Sequence, residues 1–442
     1  MAGSLLTDLY ELNMASSYLR RGMTGRATFS LFVRRLPPGR AFLVAAGIDE
    51  CLTWLEGFGF EDDDLAYLSD LGFDGASIDA FRGLRFTGDV WAVPEGRIVF
   101  AEEPLAEISA PIAEAQLPET FLLNQLTFQT TVASKAARCR LAGAGRVGLV
   151  EFGFRRTQGI EAAMAVARAS AMVGFGATSN VEACRRFGLT PAGTMAHSYV
   201  EAFPTEVEAF RAFATDLPTS TTFLVDTYDT LEGVANAIGV TKELGIETRA
   251  GIRLDSGDLV KSAFEARRML DEAGLGSVRI FVSGGLDERD VARLLAAGAP
   301  IDAVGVGTRL GVSADAPYLD SAYKLVDYGG RPVMKLSAGK VTLPGAKQVF
   351  RAADMHDVLG LRSEAVPAGT EPLLEQMMSG GRRLVPPVTL ESSRGRFERD
   401  LERLPVSLKD LDASAPDGPE VSRALRALAD EATVNAKRAG GS

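Results

Sequence analysis

Between residues 147 and 308 the chain repeats one pattern. A short apolar run ends in small or polar residues, and most runs are followed by a helix-like stretch. The runs are VGLVEFGFR (147–155), AMVGFGATSN (171–180), PAGTMAHS (191–198), TTFLVDTYD (221–229), TRAGIRLDSGD (248–258), VRIFVSGG (278–285) and IDAVGVGT (301–308). They recur roughly every 20–30 residues, the spacing of successive β-α units around a parallel sheet. Polar residues cluster at the C-terminal end of each run. That arrangement predicts an irregular (β/α) TIM-like barrel, where catalytic groups gather on one face. An open doubly wound sheet is the alternative at the level of fold.

The flanking text follows other periods. Residues 7–21 predict a helix capped by Thr7 or Asp8, with Leu12, Ala15 and Leu19 along one face. Residues 27–35 and 88–113 predict strands, and Pro94-Glu95-Gly96 between VWAV and RIVF predicts a hairpin. A long amphipathic helix is expected over 117–142. Beyond residue 330, RPVMKLS and KVTLPGAKQVFR are strand-like again, 360–386 is loop-rich, and helices are expected near 389–403 and 418–437. The predicted organisation is an α+β domain over 1–116, a catalytic barrel over 117–330, and a segment over 331–442 that rejoins the first domain.

Charge narrows the partners. A net charge of −11 argues against general nucleic-acid binding, which rests on neutralising phosphates, but leaves room for a locally basic site for a small anion. Cys51, Cys139 and Cys184 lie far apart with no CxxC pair, so a disulfide framework is not expected. Asp8 and Glu11 interrupt the apolar stretch of the N-terminus, and no run reaches the ~18 residues of a membrane span. A cytoplasmic location is the expectation.

The ends of the runs carry the candidate chemistry. His197, one of only two histidines, is flanked by small residues, so its ring is open to a ligand. It can serve as nucleophile or proton carrier near neutral pH, or it can be a structural histidine bonded to a carbonyl. Arg253, Asp255 and Asp258 suit a phosphosugar, with guanidinium on anionic oxygens and carboxylates on ribose hydroxyls or magnesium; a surface ion-pair cluster is the other reading. Gly284, Gly285, Gly305 and Gly307, with Thr308, form two turns whose amides can converge on a phosphate, or simply tight turns. Arg155 and Arg156 are a candidate anion pair, or a solvated basic pair. Phe152 suits a core position, and Asp226 and Asp229 suit helix caps as well as a site.

Together these segments closely resemble the nicotinate phosphoribosyltransferase family. The likeness runs through TDLYELNMASSY (7–18), AEEPLAEISAPIAEAQLPETFLLNQL (101–126), EFGFRRTQG (151–159), GFGATSNVEA (174–183), AGTMAHSYVEAF (192–203), GIRLDSGDL (251–259), VGVGT (304–308) and MKLSAGKVTLPGAKQVFR (334–351). The resemblance implies transfer of phosphoribose from phosphoribosyl pyrophosphate to nicotinate, giving nicotinate mononucleotide and pyrophosphate. It implies ATP as co-substrate, Mg2+ as cofactor, and His197 as a transient phosphohistidine. Tyr10 and Phe152 resemble the aromatic pair around the pyridine ring, with the tyrosine supplied by the partner subunit of a homodimer. Thr194 and Arg253 resemble nicotinate-pocket residues, Asp255 a ribose-side carboxylate, and Arg155 a phosphate-side arginine. Asp258, Gly284, Gly285, Gly305, Gly307 and Thr308 would complete the phosphoribosyl site.

One position separates acid from amide. Nicotinamide phosphoribosyltransferases carry an aspartate where this chain reads Thr178-Ser179-Asn180. An aspartate would repel the substrate carboxylate, whereas Ser179 can donate to it, so the acid is expected. Quinolinate phosphoribosyltransferase is shorter and lacks the phosphorylated histidine. An NAD-dependent oxidoreductase would need an early strand–GxGxxG–helix unit; GVGTRLG (305–311) occurs late and fits only loosely.

Overall fold

A computed structural model describes residues 3–217, 221–336 and 342–440. The predicted strand text around KLSAGKV therefore lies partly outside the described residues. Chain packing divides the molecule into one unit of Met1–Ser134 with Tyr318–Ser442, and a second of Lys135–Pro317.

The second unit is built on a six-stranded parallel sheet. Its strands are Gly148–Glu151, Ala177–Thr178, Thr221–Leu224, Ala250–Leu254, Arg279–Val282 and Ala303–Val306. In space the Gly148–Glu151 strand lies between Ala177–Thr178 and Ala303–Val306, and the others follow in reverse order to Thr221–Leu224. An early strand thus pairs with the last one, Glu151 opposite Val306. The sheet curls into a parallel half-barrel, and the overall class is mixed α/β. Six of the seven apolar runs form its strands. The seventh, 191–198, does not: Pro191 makes a single parallel bridge to Thr178, and the next regular element is the helix His197–Glu201. Proline has no N–H to extend a ladder, and Gly193 supplies no side chain to pack.

Side-chain caps start the helices that follow. Asn180, Thr205, Asp229, Asp258 and Asp287 each accept a backbone N–H from the first turn of the next helix. Such caps satisfy amides that have no partner inside the helix.

In the first unit, a seven-stranded sheet joins both ends of the chain. Arg26–Val33 pairs antiparallel with Ser321–Tyr328 on one side and Pro104–Pro111 on the other. The strand Ser321–Tyr328, inside the span expected for the catalytic domain, thus pairs with the N-terminal region. Leu12, Phe29, Leu31, Trp54, Val90, Ile108 and Met378 belong to one buried cluster beneath this sheet.

Several local expectations are corrected. The strands on either side of Pro94-Glu95-Gly96 form no hairpin. Asp89–Ala92 pairs with Pro104–Pro111 and Glu375–Ser379, while Ile98–Val99 pairs with Leu43–Val44. The turn is held instead by the 45–47 segment: Gly96 N–H donates to Ala45 O, and Glu95 Oε1 accepts from Gly47 N–H at 2.9 Å. Residues 360–386 contain three short strands: Thr370–Pro372 pairs with Lys347–Ala352, and Glu375–Ser379 pairs with Asp89–Ala92 and with the adjacent Arg382–Arg383. The long helix forms as Glu119–Gly143, but it is not amphipathic. Every residue from Gln129 to Cys139 is buried, and Thr131 and Ser134 donate back to carbonyls one turn earlier at 2.6 Å each. Those local bonds let hydroxyls sit where a helix pattern leaves no polar face. Three helices between 48 and 82 carried no sequence expectation.

Candidate active site

The C-terminal ends of the half-barrel strands assemble a polar cluster centred on Arg253. Arg253 lies at the end of the Ala250–Leu254 strand, and the residue is 9% exposed. Each guanidinium nitrogen has a partner: Nε donates to Ser283 Oγ at 2.7 Å, Nη1 to Thr194 Oγ1 at 3.2 Å, and Nη2 to Asp255 Oδ1 at 2.6 Å. Its carbon centre lies 5.4 Å from the centroid of the Phe152 ring. Ser283 also donates to Asp255 Oδ1, so one carboxylate oxygen receives both groups. Arg253 and Asp255 alternate along a strand end and therefore reach the same mouth.

The neighbouring strand ends brace this cluster. Asp226 Oδ2 accepts from Asp255 N–H at 2.9 Å and from Ser256 Oγ at 2.6 Å, while Asp226 Oδ1 is buried without a partner. His197 stands at the start of its short helix, with Nδ1 3.2 Å from Thr227 Oγ1. That bond leaves Nε2 as the uncommitted ring nitrogen. Phe152 packs against Phe281 with centroids 5.5 Å apart. Gly305 makes room for both rings, since a Cβ there would stand 2.8 Å from Phe281 Cζ and 2.9 Å from Phe152 Cδ2.

The two glycine turns differ. Gly284 has φ +108°, and a Cβ on it would lie 2.0 Å from Asp255 O, so no other residue fits there. The helix after it, Glu288–Ala296, has its first amides accepted by Asp287. Gly307 opens the Thr308–Gly311 turn with no side-chain cap, and Thr308 is exposed. The second turn thus retains the more available amides. Arg309 ties the two turns together through Asp287 at 2.8 Å and Asp290 at 3.0 Å.

The predicted residues therefore fall into groups. Phe152, Thr194 and Asp255 each touch Arg253. Ser179 sits at the end of the Ala177–Thr178 strand, anchored by its N–H to Glu151 O at 2.9 Å. Arg155 is exposed in the turn Phe154–Arg156. Asp258 is exposed and caps the Leu259–Glu272 helix through Lys261 N–H. Asp229 caps its helix likewise. Tyr10 belongs to the other unit, on the helix Leu9–Arg20, and is 46% exposed. Burial, then Glu119 and Glu11, push its phenol above the ordinary tyrosine range.

Two contributors were missed. Glu151 is buried at its strand end, where it accepts from Thr178 Oγ1 and Gly153 N–H. Burial raises its carboxyl pKa, and those two bonds oppose the rise. A glutamate ending an apolar strand was the available signal. Thr227 carried no such signal, because its role exists only beside His197.

Comparison with known proteins finds relatives along most of the chain. Residues 5–127 match the nicotinate phosphoribosyltransferase N-terminal domain, and residues 147–341 match the nicotinate phosphoribosyltransferase family. A nicotinate phosphoribosyltransferase of Mycobacterium tuberculosis is 49% identical over 418 residues, covering 93% of this chain and 89% of that protein. One from Bacillus subtilis is 47% identical over 358 residues, 79% of this chain and 73% of that protein. The crystal structure of human nicotinic acid phosphoribosyltransferase superposes with a TM-score of 0.85 at 32% identity, covering 96% of this chain and 99% of that one. The chain belongs to the nicotinate phosphoribosyltransferase family.

Proposed function

We propose that this enzyme joins nicotinate to phosphoribosyl pyrophosphate, releasing nicotinate mononucleotide and pyrophosphate with ATP hydrolysis, as the first step of NAD synthesis from nicotinic acid. The observation that carries the reading is Arg253, a buried guanidinium spread between Thr194, Ser283 and Asp255 against the face of Phe152. Its hydroxyl partners can yield to a substrate carboxylate, which pairs more strongly with a guanidinium.

In this reading the pyridine nitrogen attacks ribose C1 as the C1–pyrophosphate bond breaks, through a cationic, oxocarbenium-like state. Phe152, with Tyr10 of a partner subunit, holds the ring, and Ser179 donates to the nicotinate carboxylate. Asp255 faces the ribose hydroxyls and the developing positive charge. Arg155, Asp258, Gly284, Gly285, Gly305, Gly307 and Thr308 receive the phosphates, the 307–308 amides being the less committed set. His197 takes the ATP terminal phosphoryl group on Nε2 while Thr227 holds Nδ1. An N–P bond forms as ADP leaves, and water later cleaves it.

The buried, unpartnered Asp226 Oδ1 beside Asp255 fits a magnesium ion with oxygen ligands. Bound there, the ion would neutralise pyrophosphate charge. We infer also that the curled sheet is an irregular (β/α) barrel, with 191–198 standing where a strand is lacking, beside an α+β domain. Cytoplasmic location and a homodimer complete the proposal. Among the described residues no helix is long and apolar enough to cross a membrane.

The deciding experiment follows pyrophosphate release from phosphoribosyl pyrophosphate with nicotinate, nicotinamide or quinolinate, with and without ATP. Release with nicotinate and not with the other two pyridines is expected; absence of release with all three would defeat the proposal. His197→Ala should abolish ATP stimulation and the acid-labile phosphoenzyme while leaving ATP-independent transfer. Ser179→Asp should lower kcat/KM for nicotinate about 100-fold, the scale of one misplaced charge in a closed site.

A further inference from the structure

The strand Gly148–Glu151 ends on a carboxylate inside the half-barrel sheet. Glu151 pairs in register with Thr178 on one side and with Val306 on the other. It is 1% exposed and forms no ion pair among the described residues. Valine or isoleucine would fill such a position without desolvating a charge, so a carboxylate is tolerated there only where hydrogen bonds hold it. Oε1 accepts from Gly153 N–H, two residues along the same chain, and Oε2 accepts from Thr178 Oγ1 on the neighbouring strand. The Thr178 hydroxyl in turn accepts from Asn180 N–H at 3.0 Å, and the Glu151 carbonyl accepts from Ser179 N–H at 2.9 Å. Gly153 makes the close approach possible, since a Cβ on it would stand 2.7 Å from Glu151 Oε1. One side chain thus clips the turn that begins at Gly153 to the strand end 178–180. Phe152 and Ser179 are the next residues after the Glu151–Thr178 pair on these two strands.

Resting on the nicotinate reading of the site, we propose that Glu151 is a positioning residue for the pyridine substrate. It fixes the spacing between Phe152, which would carry the ring, and Ser179, which would meet the ring's carboxylate. Ring and carboxylate are rigidly joined in nicotinate, so both contacts can be made only at one separation of the two segments. The Ser179 N–H bond to Glu151 O ties the main chains, and the carboxylate adds a second tie from Thr178 to the turn. Loosening that tie would shift the ring contact against the carboxylate donor, and a misplacement of about 1 Å can cost about 100-fold. Ground state and transition state share the ring position, so the loss should fall on KM for nicotinate more than on kcat. Arg155 follows in the same turn, but that turn is closed independently. Thr157 Oγ1 donates to Gly153 O at 3.0 Å, as do Arg156 N–H at 2.8 Å and Thr157 N–H at 2.9 Å. The phosphate side is therefore held without the carboxylate.

Steady-state kinetics on the full chain, with nicotinate and phosphoribosyl pyrophosphate varied in turn, test this. Thr178→Val removes the hydroxyl donor at nearly constant shape. It should raise KM for nicotinate at least about tenfold, with kcat and KM for phosphoribosyl pyrophosphate within about threefold. Thr178→Ser puts the donor back and should recover most of the nicotinate affinity, which a packing role alone would not do. Glu151→Gln keeps the shape but offers one acceptor oxygen instead of two, and should behave like Thr178→Val. The double variant should be little worse than either single one, since both cut the same tie. Should either single variant fail to fold, the other still decides, with Tm recorded for each. Unchanged nicotinate KM in the folded variants, an equal rise in both KM values, a lower Tm with unaltered kinetics, or no recovery in Thr178→Ser would each overturn the proposal. A wild-type enzyme that forms no product with nicotinate would overturn the functional reading, and this proposal with it.

Discussion

Arg351 lies wholly out of solvent among Asp357, Glu103 and Asp400, whereas Arg253 is buried beside two hydroxyls, one carboxylate and an aromatic face. Both arginines come from segments that resemble the family. Arg351 donates twice to Asp357, through Nε at 2.9 Å and Nη2 at 2.5 Å, and once to the Ile98 carbonyl. Burial alone would lower its pKa, but Asp357, Glu103 and Asp400 carry it above the ordinary arginine value. Three carboxylates, the Ile98 carbonyl and the Phe100 ring, 5.5 Å away, close that guanidinium, so nothing is left for a ligand. Arg253 has one carboxylate partner, Asp255, and two neutral hydroxyls, Ser283 and Thr194, that an incoming anion can outcompete. The partner chemistry, more than burial, separates an arginine that holds the fold from one that meets substrate.

Three measurements can break or sharpen that contrast. The largest effect should come from Arg351→Met, which strands three carboxylates in the core. A loss of about 3–5 kcal/mol is expected in urea unfolding, with kcat of the folded enzyme within about twofold of wild type. Next, Arg253→Lys should keep the melting temperature but lower kcat/KM for nicotinate about 100-fold, or about 2.7 kcal/mol, because an ammonium cannot reproduce the planar fork. If Arg253→Lys instead lost stability with unchanged kinetics, the two arginines would be equivalent.

The smallest effect concerns Glu11, a buried carboxylate that forms no ion pair among the described residues. It accepts from Thr120 N–H at 3.0 Å, Thr120 Oγ1 at 2.6 Å, and Thr7 Oγ1. Burial pushes its pKa up to about 7, with the Thr120 and Thr7 bonds pulling against it. The folded state therefore favours the protonated form. This contribution to stability is complete below about pH 4.5 and is lost as pH rises through 7. Relative to wild type, Glu11→Gln should gain on the order of 2–3 kcal/mol between pH 4.5 and pH 8. A flat difference across that range would show the carboxylate to be fully compensated.

Much of the site was legible because it follows strand period. Arg253 and Asp255 alternate, and Gly284 and Gly305 sit where backbone or rings approach closely. Asp258 and Asp229 were ambiguous for a physical reason: a carboxylate at a strand-to-helix junction serves equally as cap or ligand, and here both cap. The Pro94-Glu95-Gly96 turn misled because a turn signal says that the chain reverses, not which strand receives it. The helix Glu119–Gly143 misled because its polar residues bond locally and so need no water.

By itself the sequence determined the β-α recurrence, the family, and the residue types at the strand ends, since these follow from periodicity and local chemistry. Only the tertiary structure decided that 191–198 is a single bridge, that Thr227 holds His197, and that Arg351 is core while Arg253 faces a mouth. Those outcomes depend on partners far away in the chain, and a residue's own neighbours in sequence carry no energy term for them.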